Sequence, residues 1–187
     1  MRRYGPVIIA ALSAMVLLAD QVTKHYARVY LAVSASPVRI VGDLLRLNFT
    51  RNQGAAFGML PGNVFLFIPV HVIVLLVIAG YVWRRRPERP WLIIALSLVA
   101  GGAMGNLIDR VVFGWVTDFI QIPFDFPVFN VADSAVVVGV AMLVWWLLFG
   151  PGSRVHEVEG AAAPHAAEHA ESARPEAVPA PGEDVIL

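Results

Sequence analysis

The chain has 187 residues, no cysteine and a formal charge of zero, from 14 basic and 14 acidic side chains. Hydrophobic residues make up 58% and charged residues 15%, against roughly 45–50% and 25% in an ordinary soluble domain, which argues against such a domain and excludes disorder over the whole length. The missing cysteine excludes a disulfide framework, a thiolate nucleophile, an iron–sulfur cluster and a thiolate zinc site.

Four apolar runs follow in chain order. Pro6–Ala19 continues past Asp20 as a helix to about Leu31. Val64–Trp83 is interrupted only by Pro69 and His71. Trp91–Ile108 carries the small residues of Ala100–Gly105, expected to be a close-packing face. Val131–Phe149 has Asp133 and Ser134 near its start. A membrane-spanning helix needs about 20 mostly apolar residues. The second and fourth runs meet that length directly. The first and third meet it if their polar ends lie at the interface or face the bundle interior. Between the spans, residues 38–60 mix strand-like alternation with a Gly-punctuated turn, and Trp115–Ile122 is β-rich. The expected fold is therefore an all-α membrane protein of four transmembrane helices, with a small β-cradle at the outer face.

From Arg154 onward the chain holds seven acids and two bases, whereas residues 1–153 hold seven acids and twelve bases. That Ala-, Pro-, Glu- and His-rich tail has no apolar period, and its composition cannot offset the entropy of ordering. It is read as disordered, giving a membrane domain over 1–150 and a tail over 151–187. His156, His165 and His169 are read as solvated rather than as metal ligands.

Arg2 and Arg3 precede the first span, Arg84, Arg85, Arg86 and Arg89 fill the loop after the second, and Arg154 follows the fourth. The positive-inside rule places all three regions, and both termini, on the cytoplasmic side. Segments 32–63 and 111–130 then lie outside. The first run also resembles a signal peptide, with Val33–Ser34–Ala35 as a cleavage site. Because it merges into a helix bearing Asp20, Lys24, His25 and Arg28, a retained helix is the preferred reading.

Polar residues inside or beside spans cost free energy, so each needs a reason. Asp20, Asn106, Asp109, Arg110, Asp118, Asn130 and Asp133 all map to the outer half or outer surface. Asp118 and Asp133 are fifteen residues apart in sequence, yet the topology lets them meet at one depth. Two carboxyls at a partly desolvated site share a proton, the arrangement needed for general acid–base hydrolysis. Plainer readings exist for each residue alone. Asn130-Val-Ala-Asp133 has the form of a capping box, Asp109–Arg110 of an interfacial ion pair, and Asp20 of an i,i+4 partner to Lys24. His71 is expected to make a polar contact between helices. Lys24 and Arg28 are expected to snorkel to head groups. No His-Glu-x-x-His zinc motif or Gly-rich phosphate loop is present. A serine protease would need Ser134 to meet a histidine such as His25, which nothing in the spacing requires.

Five blocks together carry a resemblance: Asp20-Gln-x-x-Lys24, Asn48-Phe-Thr-Arg-Asn-Gln-Gly-Ala-Ala-Phe-Gly58, Gly101-Gly-Ala-Met-Gly-Asn-Leu-Ile-Asp-Arg110, Val116-Thr-Asp-Phe119 and Phe129-Asn-Val-Ala-Asp-Ser134. In order and spacing they resemble the bacterial lipoprotein signal peptidase (signal peptidase II) family over roughly residues 5–150. The resemblance implies a multi-pass aspartyl endopeptidase of the bacterial inner membrane, with its active site at the outer face. It implies cleavage of a prolipoprotein before the diacylglyceryl-modified cysteine. Motif matching carries over Asp118 and Asp133 as catalytic, Asn52, Asn106, Arg110 and Asn130 as substrate-binding, and Asp20 and Asp109 as supporting. It further implies lipid-modified substrates, contact with membrane lipids, inhibition by globomycin-type peptides, no metal or organic cofactor, no nucleic acid and a monomer. The outer loop with Asn52 and Phe57 is expected to act as a lid. The alternative from another class is a non-enzymatic membrane chaperone or transporter subunit.

Overall fold

The computed structural model describes residues 4–34, 36–54, 64–124 and 126–150. The tail after Gly150, Phe57 and Ala35 of the cleavage-like triplet lie outside the described residues.

Four helices carry the apolar runs: α1 (Gly5–Tyr26), α2 (Val64–Arg85), α3 (Pro90–Phe113) and α4 (Val131–Phe149). Each is long and apolar enough to cross a membrane. Three strands complete the fold: β1 (Val38–Val41), β2 (Leu45–Asn52) and β3 (Val116–Gln121), forming one antiparallel sheet in the order β1-β2-β3. α3 is the central helix. In its most apolar stretch 61% of residues are buried inside the protein, against 6% in α2, whose Val70, Ile73, Leu76 and Val77 point outward. Apolar side chains on the outside suit a lipid solvent, where burial against protein gains nothing over hydrocarbon.

Glycines set the approach of the helices. A methyl group on Gly101 would meet Ser13 O and Val16 Cβ, both at 2.7 Å, and one on Gly102 would meet Ala132 O at 2.5 Å. At Gly105 it would collide with Asp20 Oδ2. The small-residue patch is thus the close-packing face, with α1 on one side and the start of α4 on the other. Ile9, Ile78, Leu92, Ile93, Leu96 and Val99 form the apolar core below it.

One boundary differs from expectation, at the end of α3, while the first helical run ends at Leu31 as expected, its last turn changing from α to π. Ala27–Leu31 is a π-helical turn, in which Ala32 N donates to Ala27 O five residues back at 3.2 Å, and Arg28 from this turn reaches β3. α3 continues past Ile108 to Phe113, so Asn106, Asp109 and Arg110 sit within the helix rather than at its end. Gly114, at φ +73°, supplies the left-handed residue that stops it, and β3 begins two residues later.

β2 and β3 pair through Leu47↔Ile120, Thr50↔Asp118 and Asn52↔Val116, with an irregularity between Leu47 and Thr50. On its other side β3 holds a single bridge to the segment entering α4. Phe129 O accepts from Phe119 N (3.0 Å) and Ile120 N (2.8 Å), and Phe129 N donates to Ile120 O (3.0 Å). Residues up to Val144 form one compact unit. In the following one, Trp145 and Phe149 pack at 4.6 Å and Gly150 N donates to Trp146 O.

Candidate active site

The Ile120–Phe129 bridge places Asn130 beside the middle of β3. Asn130 caps α4 in both senses. Its Oδ1 accepts from Asp133 N at 2.9 Å, and its own N donates to Asp133 Oδ2 at 3.2 Å, which is the reciprocal pattern of a capping box. Its amide then turns the other way, and Nδ2 donates to Asp118 Oδ1 at 2.6 Å and to Asn106 Oδ1 at 3.2 Å. One asparagine therefore bonds both carboxyl groups. The cap expected for Asp133 and the hydrogen bond to Asp118 are made by the same residue.

Asn106 closes the ring from α3, donating through Nδ2 to Asp133 Oδ1 at 2.7 Å. Asn52, at the end of β2, donates to Asp118 Oδ2 at 2.9 Å and accepts Gly54 N at 3.1 Å, an Asx turn that fixes its side chain. Each Asp118 oxygen thus has an amide donor. Asp118 is 1% exposed. Burial is the main cause that pushes its carboxyl up from the ordinary range to about 6, and the negative charge of Asp133 adds to it. The Asn52 and Asn130 hydrogen bonds and the charge of Lys24 act in the opposite direction without cancelling it.

A second, fully buried layer supports this ring. Lys24 Nζ lies 2.8 Å from Asp20 and 3.6 Å from Asp109, and donates to Asn106 Oδ1 at 2.9 Å. The other Asp20 oxygen accepts Ala132 N at 2.9 Å, in the first turn of α4. Asp109 accepts Thr117 N at 2.8 Å, next to Asp118 in β3. Asp20 and Asp109 therefore pin the two segments that carry Asp133 and Asp118. A buried carboxylate at a helix N-terminus or on a backbone N–H is a strong, charge-assisted contact. Gln21 links Gly105 O to Asp20 and Asp109.

Four expectations are corrected here. Lys24 does not snorkel; it is 0% exposed, because two carboxylates and an amide oxygen compensate its desolvation. Arg28 turns inward as well, donating to Thr117 Oγ1 at 2.8 Å and lying 3.5 Å from Asp109. Asp109 and Arg110 are not a bonded pair, because successive residues on a helix project about 100° apart. Asp109 faces Lys24, Arg28 and β3, while Arg110 donates to Asn106 O at 3.2 Å and lies over the Phe67 ring at 5.3 Å. His71 makes its 2.7 Å contact with Phe67 O of its own helix, not with another. The expected Asp20–Lys24 pair is present.

Ser134 Oγ donates back to Asn130 O at 3.0 Å, and His25 is exposed with its ring edge toward Tyr26. A serine–histidine pair is therefore not assembled. Among the described residues, no group of three His, Cys, Asp or Glu side chains converges as a metal site. Sequence reasoning missed Lys24, Arg28, Thr117 and Gln21 as members of the site. The signals available were the i,i+4 spacing of Asp20 and Lys24 and the motif blocks that contain Gln21, Lys24 and Thr117; Arg28 lies in none of them.

Residues 12–149 match the model of a peptidase family described as signal peptidase (SPase) II. The chain is 40% identical over 146 residues to a lipoprotein signal peptidase of Moorella thermoacetica, covering 78% of this chain and 96% of that protein. It is 44% identical over 136 residues to a lipoprotein signal peptidase of Pelotomaculum thermopropionicum, covering 72% and 88%. A solved bacterial membrane enzyme shares the fold at a TM-score of 0.69 and 32% identity, over 75% of this chain and 87% of its own.

Proposed function

The chain belongs to the signal peptidase II family, and on that premise we propose that it is an aspartic endopeptidase that removes the signal peptide of a prolipoprotein by cleaving before the diacylglyceryl-modified cysteine. The observation that carries this reading is the double use of Asn130, whose amide bonds Asp118 and whose backbone N–H bonds Asp133.

In the proposed reaction Asp133 takes a proton from a water that attacks the scissile carbonyl carbon. Asp118, whose carboxyl retains a proton to about pH 6, gives that proton to the carbonyl oxygen. The gem-diol intermediate then collapses: Asp118 takes back a hydroxyl proton as the C=O bond re-forms, the C–N bond breaks, and the amine leaves with the proton held by Asp133. Asn52 and Arg110 stand beside the pair as donors for the substrate backbone. Asn106 and Asn130 orient the two acids. Globomycin-type inhibitors would occupy the same cleft, and the protein acts as a monomer.

The lipid tails of the substrate stay in the bilayer, so the peptide bond is presented at membrane depth and the search is confined to two dimensions. The basic loops put both termini in the cytoplasm, and the dyad at the outer face of the inner membrane. The hydrogen bonds of Asp20 to Ala132 and of Lys24 to Asn106 support the reading that α1 is a retained helix.

The test is processing of a lipidated precursor by Asp118→Asn and Asp133→Asn, each alone, in folded protein, with and without chelator. Loss in both, with no effect of chelator on the unsubstituted enzyme, is expected. Full processing by either variant overturns the dyad and favours a non-enzymatic role for the polar face.

A further inference from the structure

The ring of amides around the two aspartates has a direction, and Lys24 sets it. An amide side chain can present its oxygen or its NH2 to a neighbour, and the two orientations have nearly the same shape. An ammonium carries donors only. Lys24 Nζ, 2.9 Å from Asn106 Oδ1, therefore forces that oxygen toward itself. The Asn106 NH2 must then face Asp133, which it reaches at 2.7 Å. The same oxygen accepts from Asn130 Nδ2 at 3.2 Å, the nitrogen that also donates to Asp118 at 2.6 Å. Reversing Asn106 would set two N–H groups against each other at Asn130 and an oxygen against the Asp133 carboxylate. Lys24 is in turn kept in place by Asp20 and Asp109.

We infer that Lys24 is a positioning residue of the reaction, whose buried ammonium fixes the Asn106 and Asn130 amides so that each turns an N–H onto one of the two aspartates. The inference rests on the aspartic reading above. It goes beyond charge balance, because it requires N–H donors at this point and not merely a positive charge.

The experiment uses Lys24→Ala in detergent-solubilised enzyme with a lipidated precursor. The expected result is a fall in kcat of about 100-fold, the scale of a misaligned reacting group, with KM within about threefold. Added propylammonium restores kcat. Propanol, which can accept as well as donate, does not, and neither does tetramethylammonium, which has the charge without an N–H. Equal restoration by tetramethylammonium or propanol overturns the inference, as does an unchanged kcat. If Lys24→Ala fails to fold, Asp20→Asn/Lys24→Met removes the pair as a neutral unit, and is compared with Asp20→Asn alone. A further kcat loss at constant KM supports the inference, and equal kcat overturns it. Asp118→Asn is run in parallel. If that variant still processes the precursor, the aspartic reading itself fails. If it is inactive while the Lys24 variants are not, only the present inference falls.

Discussion

Asp118→Asn should leave the protein inactive but more stable near neutral pH. The Asp118 carboxyl is raised from 3.8 to about 6 by burial and by Asp133. At about 1.4 kcal/mol per unit, keeping it ionised at pH 7.5 costs the folded state roughly 3 kcal/mol. A raised carboxyl contributes stability that is complete below its unfolded value and lost as pH rises through the folded one. The window here is thus about pH 4 to 6. Asparagine carries no charge and escapes this cost. It also offers one oxygen where two amide donors, Asn52 and Asn130, now meet two carboxylate oxygens. One donor loses its acceptor, at about 1–2 kcal/mol. The net gain is about 1–2 kcal/mol at pH 7.5, or about 2–8 °C in Tm for a chain of this size. By pH 4.5 it falls to about zero or reverses. Thermal unfolding in detergent, followed by tryptophan fluorescence at both pH values, measures the difference. A Tm gap that does not change between pH 4.5 and 7.5 refutes the reasoning, because it means that Asp118 is not a desolvated carboxylate in the folded state.

Asn52→Ala removes a hydrogen bond that favours ionised Asp118, so the Asp118 carboxyl should rise further. With Asp118 as the acid, the alkaline limb of the kcat/KM profile moves up by about one to two pH units, from a contact worth about 1.5–3 kcal/mol; a shift of the acid limb instead would exchange the two roles. Gly105→Ala drives a methyl group into Asp20 Oδ2, which should cost about 2–3 kcal/mol of stability and much of the processing activity, whereas Gly80→Ala, with open space around its Cβ position, should cost neither.

The spans were legible because membrane helices announce themselves through length and composition. Val131–Phe149 falls on its expected bounds for that reason. The end of α3 was not, since Asp109 and Arg110 look like an interface signal whereas the helix stops only where Gly114 permits a left-handed turn. Asp118 and Asp133 could be paired in sequence through topology and motif. The link between the segments that carry them, a bridge from Phe129 to β3, lies in backbone hydrogen bonds that no side-chain pattern advertises. Lys24 and Arg28 were misread for a related reason. A cation near the end of a span usually reaches for head groups, and only the fold shows two carboxylates and a threonine waiting for it inside. Residues at helical spacing are visible in sequence; partners more than 80 positions apart, such as Lys24 and Asn106, are not.

The clasp between Ile120 and Phe129 separates geometry from decoration. Because β3 and the entry to α4 are tied directly to each other, the distance between the two acids does not depend on how much chain loops out between Ile122 and Val128. Phe124, 94% exposed, belongs to that stretch. Residues could be inserted, removed or exchanged there while the spacing that the clasp sets between β3 and α4 is kept.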